Sequence, residues 1–366
     1  MPMRRRAGPF DFVLFLAVML LLGMGVIMVF SASALTSSYN YGDALYFLKR
    51  QLLWALLGLM GLFLVVQFDY SRLKKLAAPF LVLAILLLIL VLVIGITTRG
   101  SSRWLGIGSL AFQPSETIKL AMVIFLAASL ADNRQRLGDL AQGLGPYLAL
   151  LAVVCLLILA QPDLGTAVAV AGTTFLMLAI AGADKRHLAF LAALGLGAVA
   201  LAIIIAPYRM ARFTAFIDPW ADPRGNGYQT IQSLLAVGSG GLFGTGLGQG
   251  RQKLYYVPEN HTDFIFAILS EELGFIGAAL VIILFLILVW RGFQTAFKAP
   301  DTFGTLLAAG LTSMLALQAI INMGVVTGLL PVTGITLPLV SYGGSSLIFS
   351  LLGIGILLNI SRYAGS

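Results

Sequence analysis

The length of its uninterrupted apolar runs limits most sharply what this chain can fold into. A hydrocarbon core ~30 Å thick takes ~20 helical residues to cross, whereas a membrane barrel shows only alternating strands. Runs such as "FVLFLAVMLLLGMGVIMVF" and "AALVIILFLILVW" are continuous, so the spans are helices. Ten are read, at roughly 12–33, 52–68, 76–96, 116–131, 146–160, 164–182, 188–207, 264–290, 303–329 and 343–361. With 59% hydrophobic residues, 10% charged residues and a mean hydropathy of +0.97, the chain lies outside the range of water-soluble domains. The expected fold is an all-α integral membrane protein. It forms a single polytopic domain over 1–366, with one long extracellular loop, 208–262, between the seventh and eighth spans.

Charge orients the spans. With an inside N-terminus, the inside segments hold Arg4, Arg5, Arg6, Arg72, Lys74, Lys75, Arg134, Arg136, Lys185, Arg186, Arg291, Lys298 and Arg362. The short outside loops hold only Lys49, Arg50, Arg99 and Arg103. That asymmetry predicts both termini in the cytoplasm. The Arg-rich start leads into a run too long for a signal-peptide core, and is read as a retained first helix. The net charge of +8 is accounted for by cytoplasmic cations meeting anionic lipid, not by nucleic acid. A single cysteine, Cys155, excludes an internal disulfide.

The 208–262 segment mixes aromatic and apolar residues with arginines and glycines, the composition of an ordered functional loop. Within it "YQTIQSLLAVG" has helical spacing and predicts a short interfacial helix. The run "GSGGLFGTGLGQG" follows. No strand precedes it and no Gly-Lys-Ser/Thr ends it, so it is read as a strained or mobile loop and not as a nucleotide cradle.

Ionisable residues inside spans cost ~2.5–3.5 kcal/mol on insertion scales and usually face a partner or a cavity. Glu116 and Lys119 share one helix face, three residues apart, and Asp163 sits in the "QPDLGT" corner on the same outer side. Lys119 is expected to pair with Glu116 or Asp163, either to neutralise charge or to line a polar cavity. Glu259, His261 and Asp263 fall within five residues, beside a loop bearing Arg209, Arg212, Arg224, Arg251 and Lys253. Carboxylates beside cations point to chemistry on an anionic substrate, although Thr262 or Asp263 could also simply cap the eighth helix. Glu271 and Glu272 lie ~12–14 Å deeper by helix rise and are read as braces. His261 has no metal-binding companion, because His187 is placed on the opposite side.

Five motifs carry a family resemblance. They are "RWLGIG" with "FQPSETIKLA", "QPDLGTA", "DPWADPRGNGYQTIQSLLAVGSGGLFGTGLGQG", "PENHTDFIFAILSEELG" and "NMGVVTGLLPVTGITLPLVSYGGSS". In this order they resemble the SEDS family (shape, elongation, division and sporulation), and their wording is most similar to its rod-elongation branch, RodA. One departure is Ala111, where many members of that branch carry an arginine; this puts one possible phosphate contact in doubt.

The resemblance implies a peptidoglycan glycosyltransferase on the outer face of the bacterial cytoplasmic membrane. It would polymerise lipid II, a disaccharide-pentapeptide on undecaprenyl diphosphate, into β-1,4 glycan, with a class B penicillin-binding protein as partner. Asp263 matches the family's essential aspartate and is the expected general base. Arg103, Arg209, Arg212 and Lys119 are the candidates for the diphosphate. Glu116, Asp163, Glu259, His261, Ser341 and Tyr342 complete the expected substrate-binding set. No cofactor is required by the sequence; a divalent cation could carry leaving-group charge, but no ligand cluster demands one. The alternatives are a lipid II flippase, a scaffold for partner helices, and the division paralogue with the same chemistry.

Overall fold

The computed structural model describes residues 8–98, 101–107, 110–254 and 256–364. Arg4, Arg5, Arg6 and Arg99, counted in the charge asymmetry, lie outside them. Among the described residues, ten helices are long and apolar enough to cross a membrane. They are α1 (Phe12–Tyr41), α2 (Tyr46–Gln67), α3 (Ser71–Ile94), α4 (Pro114–Asn133), α5 (Gly145–Leu159), α6 (Leu164–Ala181), α7 (Lys185–Ile205), α10 (Ile265–Lys298), α11 (Thr302–Val326) and α12 (Gly344–Ala364). Two shorter helices, α8 (Pro207–Ile217) and α9 (Tyr228–Ser239), lie between α7 and α10. The helix expected in "YQTIQSLLAVG" is α9; α8 had been read only as loop.

The departures from the sequence reading have local causes. Apolarity fades after position 33, yet α1 runs on to Tyr41, because Ser33 and Ser37 are fully buried and the Ser33 hydroxyl donates to the Val29 carbonyl at 2.6 Å. The fifth and sixth spans are separate helices: Asp163 caps α6, its carboxylate accepting from the Thr166 amide at 3.1 Å. Between α3 and α4 the chain forms a small antiparallel sheet, β1 (Ile96–Thr98), β2 (Ser101–Ile107) and β3 (Leu110–Phe112), in the order β1-β2-β3. Two of the strands have three residues and the third seven, too short a sheet inside a loop for its alternation to be read beforehand.

The chain ends meet at one end of the bundle. The Gly8 amide donates to the Arg362 carbonyl at 2.8 Å, Arg291 pairs with Asp11 at 2.6 Å, and Lys74 pairs with Asp132 at 2.5 Å. Asn359 donates from its amide to the carbonyls of Val66 and Phe68, tying α12 to the α2–α3 turn. Arg72, Lys74, Lys75, Arg291, Lys298 and Arg362, all assigned to the inside, belong to these elements. At the other end lie the sheet, the α5–α6 corner and the start of α10.

Two stretches of irregular backbone run deep between the spans. The 331–343 segment packs Leu339 and Val340 against the middle of α1, where a Cβ on Gly25 would come within 2.5 Å of the Leu339 carbonyl oxygen. Only glycine permits that approach. The second stretch meets a break in α10, where Gly274 has φ 65° and ψ −166°. The break frees backbone groups from the helical ladder, and the glycine-rich run takes them up. Thr245 and Gly246 donate to the carbonyls of Glu271 and Glu272 at 3.0 and 3.1 Å. Phe275 and Ile276 donate to the carbonyls of Gly241 and Leu242 at 2.9 and 3.2 Å. Non-helical backbone at span depth is tolerated when protein satisfies it in this way. The run is thus pinned and not mobile, and its positive φ values at Gly241, Gly244, Gly246 and Gly248 make the turns it needs.

Candidate functional site

Asp263 sits just before α10, at the end of the bundle away from the chain termini. Helix α10 has Phe264 at its cap position and no side-chain cap, so neither Thr262 nor Asp263 caps it. The Thr262 hydroxyl bonds back to Glu259, within 3.1 Å of its carboxylate. The Asp263 side chain is partly exposed, and its carboxylate accepts no hydrogen bond from the described residues. Burial, then the negative charges of Glu259 and Asp163, push its carboxyl up from 3.8 to about 7, against the pull of Arg103 and Arg212. A carboxylate in that condition is poised to take a proton near neutral pH.

The backbone around Asp263 is held from three directions. The Asn322 amide donates to the Asp263 carbonyl at 2.7 Å and to the Ile335 carbonyl at 2.7 Å. The Ser341 hydroxyl donates to the Thr262 carbonyl at 2.6 Å, and the Tyr342 amide to the His261 carbonyl at 2.9 Å. His261 packs its ring 4.5 Å from that of Phe47 and shares a 3.0 Å hydrogen bond through Nδ1 with Asn260 Oδ1. Burial holds its pKa below the usual histidine value, opposed by Glu259. Ser341, Tyr342 and His261, expected to touch substrate, are seen bracing the segment that carries Asp263.

The expected cations divide. Arg103, on β2, donates from Nε to the Gln161 carbonyl at 3.0 Å and from its fork to the Pro162 carbonyl, which ties it to the corner holding Asp163. Arg212, on α8, donates to the Val332 carbonyl at 3.4 Å. Both act electrostatically on Asp263. Arg209 instead turns toward helix ends, donating to the Ala202 carbonyl at 3.0 Å and to the Tyr208 hydroxyl at 2.7 Å. Lys253 is buried elsewhere, 2.6 Å from Glu272.

Glu116 and Lys119 pair with each other at 2.8 Å and are only 7% and 6% exposed. Lys119 also donates to Gln318 Oε1 at 2.9 Å and not to Asp163, which is occupied with Thr166. A cavity of about 10 Å³ beside Lys119 has room for about one water. The expected charge neutralisation is what this pair does. No group of three or more His, Cys, Asp or Glu among the described residues is arranged to hold a metal ion.

Sequence reading missed Asn322 and Thr333. Asn322 was a visible signal, an amide inside an apolar span. Thr333 has a buried hydroxyl without a hydrogen-bond partner and lies in the 331–343 segment beside the start of α6. No pattern marked it.

The family profile described as "Cell cycle protein", covering FtsW, RodA and SpoVE, matches residues 12–366. This chain belongs to the FtsW/RodA/SpoVE family. Stage V sporulation protein E of Bacillus subtilis (strain 168) is 48% identical over 97% of this chain and 97% of its own length. A probable peptidoglycan glycosyltransferase FtsW of Geobacter sp. (strain M18) is 44% identical over 98% of both chains. Among solved structures of the family, rod shape determining protein RodA of Thermus thermophilus superposes with a TM-score of 0.72 at 32% identity, covering 98% of each chain. A chain of a peptidoglycan synthase complex, described as coordinating polymerization and crosslinking, gives a TM-score of 0.78 at 34% identity over 98% of this chain and 99% of its own. The relatives named for sporulation and division are thus more similar in sequence than the RodA structure, which weakens the preference for the rod-elongation branch drawn from motif wording.

Proposed function

We propose that this chain is a peptidoglycan glycosyltransferase of the bacterial cytoplasmic membrane that polymerises lipid II, with Asp263 as the general base. The carrying observation is the Asp263 carboxylate itself. It is uncapped, raised to about 7 and flanked by Arg103 and Arg212 at one end of a membrane bundle. In the reaction the acceptor sugar hydroxyl attacks the anomeric carbon of the donor. A carbon–oxygen bond forms to the acceptor, the bond to the diphosphate breaks, and inversion turns an α-linked donor into a β-1,4 product. Asp263 takes the hydroxyl proton, while the diphosphate leaves toward cationic side chains. Arg103 and Arg212 are the cations placed for it; Lys119 and Arg209 are committed elsewhere.

The charge asymmetry supports an orientation with both termini in the cytoplasm and Asp263 on the outer face, where the 208–262 segment would also lie. Likeness to a chain of a peptidoglycan synthase complex supports a crosslinking penicillin-binding protein as partner. The same chemistry serves elongation, division and sporulation. The relatives named for division and sporulation put those roles on an equal footing with rod elongation.

Purified protein in detergent, given lipid II, tests the reading, because a flippase has no work to do without two sides. Wild type polymerises. Asp263→Asn loses about 10²–10⁴-fold in rate while remaining folded. Polymerisation by Asp263→Asn at the wild-type rate removes the base assignment.

A further inference from the structure

Asn322 of α11 is 1% exposed and spends both amide hydrogens on backbone carbonyls of two different segments, Asp263 and Ile335, each at 2.7 Å. Its own Oδ1 is buried with no hydrogen-bond partner. An orphaned buried carbonyl costs stability that an apolar side chain would not, so the arrangement is poorly explained as a stabilising device. What it secures is position. Gly334, next to Ile335, adopts φ 83°, and a Cβ there would lie 3.5 Å from Asp263 Oδ2. One planar amide therefore fixes the residue bearing the carboxylate and the segment lying against that carboxylate. Only the donor end of the amide suits two acceptors, so the orientation is unambiguous.

We propose that Asn322 is a positioning residue for glycosyl transfer, its amide setting the place of the Asp263 carboxylate relative to the 331–343 segment. This rests on the reading of Asp263 as the base. Glu259, Asp163, Arg103 and Arg212 act electrostatically on that carboxylate, so a change in its position changes its balance of charges.

The test is steady-state polymerisation of lipid II by the full chain in detergent, with a pH–rate profile, on folded monodisperse protein. Asn322→Ala lowers kcat about ten- to hundredfold, leaves KM for lipid II within about twofold, and moves the acidic limb of the profile. If Asn322→Ala is not recovered folded, Asn322→Leu, of similar shape and with neither donation, carries the same comparison. Ser233→Ala removes a buried 2.7 Å donation to the Val326 carbonyl, also on α11, and leaves kcat and the limb unchanged. In an Asp263→Asn background, Asn322→Ala adds no further loss.

The proposal is overturned if the Asn322 variants lose rate with the acidic limb in place, if KM rises as kcat holds, or if their loss is repeated in full on the residual activity of Asp263→Asn. An Asp263→Asn variant as active as wild type brings down the base reading, and this proposal with it. An inactive Asp263→Asn beside an Asn322→Ala of normal kcat brings down this proposal alone.

Discussion

Asp263 and Glu272 are nine positions apart on one stretch of chain, and their surroundings treat them in opposite ways. The Glu272 carboxylate accepts from the Lys253 ammonium at 2.6 Å, from the Ser31 hydroxyl and from the Gly248 amide at 3.0 Å. Its neighbour Glu271 accepts from the amides of Arg251 and Gln252 at 2.7 and 3.2 Å. Asp263 has cations nearby and, among the described residues, no donor in contact. A carboxylate whose lone pairs are all used is a structural tie. One left unused among opposing charges is free to exchange a proton. Two acidic groups in a membrane protein are therefore told apart by the count of their donors as well as by depth.

Substitutions at the two positions should separate activity from stability. Asp263→Asn shows the largest effect, the loss of polymerisation given above, with no loss of thermal stability. The sign for stability follows from the raised carboxyl: between 3.8 and about 7 the folded state binds the proton that the unfolded chain releases. Stability is therefore lost as pH rises through that window, and above it the charged form is a burden. A thermal midpoint at pH 8 equal to or above wild type is expected for Asp263→Asn; a clear fall would mark Asp263 as a structural tie after all.

Glu272→Ala leaves Lys253 buried and unpaired, and costs about 3–5 kcal/mol in detergent unfolding. If the midpoint hardly moves, the deep carboxylates are not the ties described. Next in size, Gly274→Ala forces a side chain into φ 65° and toward the Leu242 carbonyl oxygen, 2.6 Å from the Cβ position. A loss of about 1–3 kcal/mol is expected, read as a lowered midpoint with KM little changed. The smallest effect concerns pH. With Asp263 as base, the rate falls about tenfold per unit below about 7 and levels above it. Glu259→Gln removes a charge that raises the carboxyl and should slide this limb to lower pH.

The ten spans were legible because each needs an apolar run of about 20 residues, and nothing else in such a chain produces one. The Glu116–Lys119 pair was legible from three-residue spacing, and helix rise set Glu271 and Glu272 apart from Asp263, at the depth where they bind the glycine-rich run. What was hidden depends on partners distant in sequence. Lys253 stood among loop cations on paper, and only the descent of the glycine-rich run brings it to Glu272. Arg209 and Arg212 look alike in "RMARF", yet one turns to helix ends and the other toward the carboxylate. Gly274 looked like any small residue in an apolar helix. Helix α8 was masked by its arginines, which made an amphipathic turn read as loop.

The break in α10 has a consequence for how the chain is made. The glycine-rich run is synthesised before the helix it completes. Until that helix threads the bilayer, the run has no carbonyls of Glu271 and Glu272 to bind; until the run docks, the helix carries open backbone groups in hydrocarbon. The two must find each other from opposite sides of an insertion event. A cut or an inserted tag at 240–248 would therefore act as a fault in biogenesis, seen as lost membrane-integrated protein, while the same lesion in the exposed turn at 222–226, between α8 and α9, would spare assembly.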